Sequence, residues 1–293
     1  CPGRRETPRT GPSPAARAAK RAVPRRAHPE FRRPARWPRL ATIPCRMSIE
    51  TAEELERLRA VGKVVARAMR AMREQVRAGV TTGELDEVGG EVFREAGARS
   101  GPQLDYGFPG VNCISINDEA VHGIPGKRKL HEGDLVKLDV TAELDGFYAD
   151  ACVSVPVGEV RPEVMQLVRT AEVALADGMA AARAGAPLNA IGAAVQGTVE
   201  RAGNSVCAEL AGHGIGRRIH EDPDVPAVYV PHLTQPLTEG LVLTIEPIIA
   251  AGKGAVREAG DGWTFRTRDG SLSAHAEHTM VITEGKPLIL TTE

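Results

Sequence analysis

The chain has 293 residues, 42% of them hydrophobic, enough for a sizeable core in one large or two ordinary domains. Its formal net charge of -1 conceals a split: residues 1–46 hold 13 lysines and arginines against 2 acidic residues, the rest 24 against 36, so no general affinity for nucleic acid follows. Five cysteines without a CxxC pair (Cys1, Cys45, Cys113, Cys152, Cys207) speak against a disulfide framework and fit free thiols in a reducing cytosol, and no apolar run approaches the ~20 residues that span a bilayer.

Residues 1–46 carry 9 of the 21 prolines amid scattered arginine and lack aliphatic periodicity. They read as a disordered basic extension that cannot offset its ordering entropy. No apolar segment marks a secretory signal. Met47 stands just before a clean helix start, and we take it as the true first residue, with 1–46 an artefactual extension. One folded domain then covers 47–293, in halves of about 48–156 and 157–293.

Thr51 and Glu54 form a capping box, and Leu55, Leu58, Val61, Val65, Ala68 and Met72 recur at helical spacing toward a stop at Gly79. A second box, Thr81 to Glu84, opens a helix through Leu85, Val88, Val92 and Phe93 that closes at Gly97. Residues 113–116 (CISI) and Ala120-Val121 predict short strands around an Asn117-Asp118 turn. Two strand-like runs, Asp134–Ala142 and Phe147–Val155, flank Asp145-Gly146, a strong hairpin signal. That turn sets Thr141 opposite Asp150 and leaves Asp139 and Asp150 as diagonal neighbours on one face. Pro162 begins a further helix through Val164, Leu167, Val168, Ala171 and Leu175, ending near Gly185.

The second half repeats the first. AGVTTGELDEVGGEVFREAG (78–97) aligns with AGAPLNAIGAAVQGTVERAG (184–203), and LHEGDLVKLDV (130–140) with LTEGLVLTIEP (237–247), which sets Asp139 against Glu246. The same offset sets Tyr106-Gly107 against His213-Gly214. A period this long that occurs only twice fits a pseudo-symmetric single domain better than a solenoid.

Paired carboxylates on the buried side of a hairpin are costly unless a cation compensates them. The remaining candidates lie at strand ends or Gly-rich turns: His213 in AGHGIG, His220 in RRIHEDP, Glu246 after Leu241–Ile245, and Glu277 in SAHAEHTMVI, with His122 beside Gly123. His28, His131 and His232 read as surface. One imidazole and four carboxylates, with His220 and His122 as spare imidazoles and no thiolate, favour Mn, Fe(II), Co or Zn, and bridging carboxylates suit two ions a few ångströms apart.

The stretches YGFPGVNCISINDEAVHGIP, LVKLDVTAELDGFYAD, GHGIGRRIHEDP, LTIEP and DGWTFRTRDGSLSAHAEHT resemble type I methionine aminopeptidases from about residue 48 to the end. The resemblance implies an α/β (α+β) pseudo-two-fold "pita-bread" fold, two helix-plus-strand halves around a curved antiparallel sheet with a dinuclear metal site. It implies Asp139, Asp150, His213, Glu246 and Glu277 as metal ligands, with Asp150 and Glu277 bridging two divalent ions (Co, Mn, Fe(II) or Zn). His122 and His220 would contact substrate, and Cys113, Tyr106, Phe108 and Trp263 would lie near the pocket for the methionine side chain. The implied activity is removal of N-terminal methionine before a small second residue by a metal-bridging hydroxide, with His122, His220 and Glu246 assisting. The implied substrates are N-termini of nascent polypeptides. The basic extension would allow transient ribosome contact through phosphate attraction. Composition and the lack of a leftover apolar stripe lead us to expect a cytoplasmic monomer that binds neither DNA nor membrane.

Two alternatives share the fold: an Xaa-Pro aminopeptidase, and a non-catalytic binding module. Two positions depart from the family pattern. His275 stands where glutamine is usual and Ile219 where an aromatic is common; both departures are expected to alter substrate preference and leave the metal site alone.

Overall fold

The computed structural model describes residues 49–292; the expectations for residues 1–46, Cys1, His28, Cys45 and Met47 lie outside them. Thr51 caps the first helix as its spacing to Glu54 requires. Its hydroxyl accepts from the Glu54 amide at 3.2 Å, and the Glu54 carboxylate accepts in turn from the amides of Thr51 and Glu50. Helix α1 (Ala52–Glu74) ends at Gln75, short of the expected stop, and Gly79 in the left-handed region turns the chain into α2 (Thr82–Ala96). The second capping box forms at Thr81, and Gly97 closes α2 with φ 70°.

Two short elements, β1 (Arg99–Ser100) and α3 (Gly101–Tyr106), lead to β2 (Cys113–Ile116) and β3 (Glu119–Val121). Strands β4 (Leu135–Leu144) and β5 (Phe147–Pro156) form the expected hairpin. Asp145 and Gly146 both take positive φ, 51° and 86°, which matches the twist of the flanking strands. The register pairs Thr141 with Asp150 and Asp139 with Cys152.

Beyond the hairpin come α4 (Pro162–Ala181), α5 (Asn189–Arg201), β6 (Ser205–Val206), β7 (Ala211–Gly214) and β8 (Glu221–Pro226). The rest is strand: β9 (Val242–Ile245), β10 (Ile248–Ala250), β11 (Val256–Glu258), β12 (Phe265–Thr267), β13 (Ser273–His275), β14 (Glu277–Val281) and β15 (Leu288–Ile289). The main sheet is antiparallel and runs β1-β4-β5-β14-β9-β7-β8, with β2 also on β4 and β15 on β14. Two three-stranded sheets, β13-β10-β6 and β11-β12-β3, complete the curled wall.

Apolar spacing decides which way each helix turns. Leu58, Val61, Val65, Ala68 and Met72 bury one side of α1 across β4 and β5. Val164, Leu167, Val168, Ala171 and Leu175 do the same for α4, which packs on α5 and joins Ile191, Leu243 and Ile245 in a second core. The repeat is visible in this layout: β4 and β9 begin 107 residues apart, and their partners β5 and β14 lie side by side at the centre. The offset fails at its third segment. Tyr106 ends a helix whereas His213 lies in a strand, and it is β2, not α3, that lies beside β4 as β7 lies beside β9.

Candidate metal centre and substrate cleft

The strand ends on the concave side converge on a cleft of about 380 Å³, and all eleven residues expected as ligands or substrate contacts line it, as does Ile219. The β4–β5 hairpin supplies Asp139 and Asp150, because its register sends both to one face. β7 supplies His213, the residue after β9 is Glu246, and Glu277 opens β14 opposite Cys152 of β5. Ligand atoms of Asp150, His213 and Glu277 lie within 4.8 Å of one another, as do those of Glu246, His275 and Glu277.

Burial dominates the electrostatics. It raises Asp139, Glu246 and Glu277 well above the usual carboxylate range, and the neighbouring carboxylates add to the shift. Burial also raises Asp150 to about 6, against hydrogen bonds from Thr141, Asp139 and the Ala151 amide. Among the described residues no lysine or arginine lines the cleft to balance these acids. Asp150 Oδ1 and Glu277 Oε1 are buried without a hydrogen-bond partner. Oxygen and imidazole donors crowded in this way, with orphaned oxygens among them, fit divalent cations.

Second partners orient the imidazoles. His213 Nδ1 lies 2.9 Å from the Gly214 carbonyl, which can only accept, so the proton sits on Nδ1. Nε2 is then the lone-pair nitrogen, 3.6 Å from Glu246 Oε1. The ring of His220 lies against that of His213, centroids 4.1 Å apart, and its Nδ1 meets the Tyr106 hydroxyl at 2.5 Å. His122 holds a left-handed backbone with φ 57°, a strain that non-glycine residues adopt only where their surroundings impose it. Burial pushes its imidazole down to about 4, keeping it neutral.

An apolar wall faces these groups. Phe108 meets Trp263 edge to face with centroids 5.2 Å apart, and Cys113 and Ile219 are buried beside them in the lining. Cys113 pairs with Asp139 in the ladder; burial and the nearby carboxylates hold its thiol well above its ordinary value, so it acts as a soft wall, not a nucleophile.

Several neighbours escaped the sequence reading. Thr244 donates to Glu246 Oε1 at 3.2 Å and accepts from the His213 amide at 3.1 Å. Two residues from Glu246 in a strand, it shares that face, so alternation alone could have found it. Glu209 and Glu258 also line the cleft, with no local signal to mark them. His275 corrects an expectation. It does not leave the metal cluster alone: its Nε2 stands 3.4 Å from Glu277 Oε2 and 3.7 Å from Glu246 Oε2, and burial pushes the imidazole down to about 3.

The profile of metallopeptidase family M24 matches residues 56–284. The chain is 43% identical to methionine aminopeptidase 2 of Bacillus subtilis (strain 168) over 247 residues, 84% of this chain and 99% of that protein. It superimposes on the crystal structure of methionine aminopeptidase from Thermotoga maritima with a TM-score of 0.81 at 37% identity, covering 84% of this chain and 99% of that one. An X-Pro aminopeptidase from Thermotoga maritima MSB8 matches with a TM-score of 0.67, covering 84% of this chain and 62% of that one; at 22% identity it shares the fold alone.

Proposed function

The chain belongs to metallopeptidase family M24, and from that premise we propose that it is a metal-dependent aminopeptidase that removes the N-terminal methionine of nascent polypeptides. The observation that carries this reading is the buried acid–imidazole cluster with orphaned oxygens beside a soft apolar wall, all in one cleft. Relatives that match nearly end to end bear the same activity in their names.

Asp139, Asp150, His213, Glu246 and Glu277 would hold two divalent ions, Mn(II), Fe(II), Co(II) or Zn(II) by donor type. When bound, such ions supply Lewis acidity to the scissile carbonyl and lower the pKa of a water nucleophile. The chain's own residues do the rest. Phe108, Trp263 and Cys113 offer polarisable contact to a thioether and exclude water from it. The Tyr106 hydroxyl hydrogen-bonds His220 Nδ1 and fixes the ring; with Tyr106 as the donor the ring proton sits on Nε2, where it can hydrogen-bond the carbonyl oxygen as charge develops. Neutral His122 hydrogen-bonds the scissile amide, and the Glu246 carboxylate carries a proton from the nucleophile to the departing amine. Buried thiols at Cys113, Cys152 and Cys207 support a reducing, cytoplasmic setting.

Metal-loaded protein given Met-Ala-Ser, Leu-Ala-Ser and Ala-Pro-Ser in parallel tests the reading. Methionine release from the first should far exceed cleavage of the others. Preferred cleavage before proline would instead assign the chain to the proline-directed activity.

A further inference from the structure

His275 is one of the most enclosed polar side chains among the described residues, 2% exposed, and neither ring nitrogen has a hydrogen-bond partner. Leaving both nitrogens of a buried imidazole unsatisfied is costly unless something else engages them. The backbone at this position is tightly held. Its amide donates to Ser154 Oγ at 2.8 Å, and the same hydroxyl donates back to the His275 carbonyl at 2.8 Å, which fastens β13 to β5. The ring is therefore aimed by the sheet and not by its own contacts.

Its distances to the acids separate two explanations. A charge-assisted hydrogen bond to a carboxylate runs about 2.7–2.9 Å. The separations here are 3.4 Å to Glu277 Oε2 and 3.7 Å to Glu246 Oε2, too long for that. Two donor atoms each ~2.1 Å from one ion at a tetrahedral angle stand ~3.4 Å apart, which is the spacing observed. His213 Nε2 shows the same spacing, 3.6 Å, to the other oxygen of Glu246. Glu246 thus stands between two imidazoles, with Oε1 toward His213 and Oε2 toward His275.

Resting on the metallopeptidase reading above, we propose that His275 is a further metal ligand, completing with Glu246 and Glu277 a site that differs from the one around Asp150 and His213. Each of the two positions then receives one imidazole. An added imidazole nitrogen favours Zn(II), Co(II) and Fe(II) over Mn(II) and Mg(II), whose preference is for oxygen. The position therefore sets metal selectivity, and the ion that binds there engages the unpaired Nε2.

The test is metal binding by calorimetry and by the visible absorption of Co(II), on metal-stripped wild type and His275→Gln. The variant should lose on the order of 10–100-fold in affinity for one of two Co(II) or Zn(II) ions, as loss of a group that tunes a metal site does. Its affinity for Mn(II) should change by roughly threefold or less, because no preferred donor is lost. Equal Co(II) affinity in the two proteins would overturn the proposal while leaving the peptidase reading standing. A wild type that binds no divalent ion would overturn both. X-ray absorption of the Zn-loaded wild type needs no variant to fold: scattering from two imidazoles per two ions supports the proposal, and scattering from one contradicts it.

Discussion

Asp150 shows how a single side chain links the folded state to the ion it awaits. Its carboxyl, raised to about 6 by burial, has an unfolded value near 3.9, so the folded metal-free protein binds a proton that the unfolded chain releases earlier. That contribution to stability is fully present below about pH 4 and is lost as pH rises through about 6. Without metal, Asp150→Asn should therefore gain on wild type in thermal midpoint as pH climbs from 4 to 7.5; parallel curves would contradict this. With metal the order should reverse, because the variant lacks an anionic ligand. Tyr106→Phe leaves His220 Nδ1 without its hydroxyl, and kcat should fall about tenfold with KM little changed, roughly 1.4 kcal/mol of transition-state stabilisation. Ile219→Phe narrows the buried side of the cleft and should shift preference across a peptide panel while metal content stays constant. The acids stood out in the sequence as a group, because Asp139 and Asp150 share one face of the hairpin and Glu246 falls in register with Asp139, whereas any one of them alone would read as a solvated strand end. His275 did not stand out, since nothing local tells a buried imidazole beside ligands from one in the side-chain pocket.

The β4–β5 hairpin was legible down to register, because Asp145-Gly146 dictates a turn type and the turn dictates which residues face each other. A one-residue slip would send Asp139 and Asp150 to the opposite face. Gly146→Ala forces a Cβ into φ 86° and should cost roughly 1–2 kcal/mol, seen as a lower thermal midpoint with metal stoichiometry retained. An unchanged midpoint would show that the turn is not under that constraint. The start of α1 was equally plain from its capping box, but its end was not: the helix stops at Gln75, and Val76 packs on the first core from the non-helical stretch that leads to Gly79. The equivalence of Tyr106 with His213 failed for a different reason. A constant offset in sequence does not ensure that the same segment fills the same place beside the sheet, and here β2 takes the place that α3 was expected to hold.

At the scale of the whole molecule, the candidate ligands come from both sides of the seam between β5 and β14: Asp139 and Asp150 from one, His213, Glu246 and Glu277 from the other. An ion held there ties the two sides together and relieves the repulsion of the clustered acids. Saturating Co(II) at about 100 times its dissociation constant should stabilise the fold by about 2.7 kcal/mol, and a chelator should reverse the rise in thermal midpoint. The repeated helix-plus-strand plan was visible in the aligned segments, whereas the strand pairing around Trp263 and Glu258 was not, Trp263 itself being named only through the family resemblance. The strands there are short: β11 pairs with the neighbouring β12, but β12 pairs with β3 across more than a hundred residues, and no local pattern encodes that second pairing. The most direct test of the account is release of methionine from Met-Ala-Ser by metal-stripped protein during titration with Co(II). Activity should be absent at the start, rise with bound metal, and stay absent in Glu277→Ala at every concentration. Full release before any metal is added, or from the variant at the wild-type rate, would contradict it.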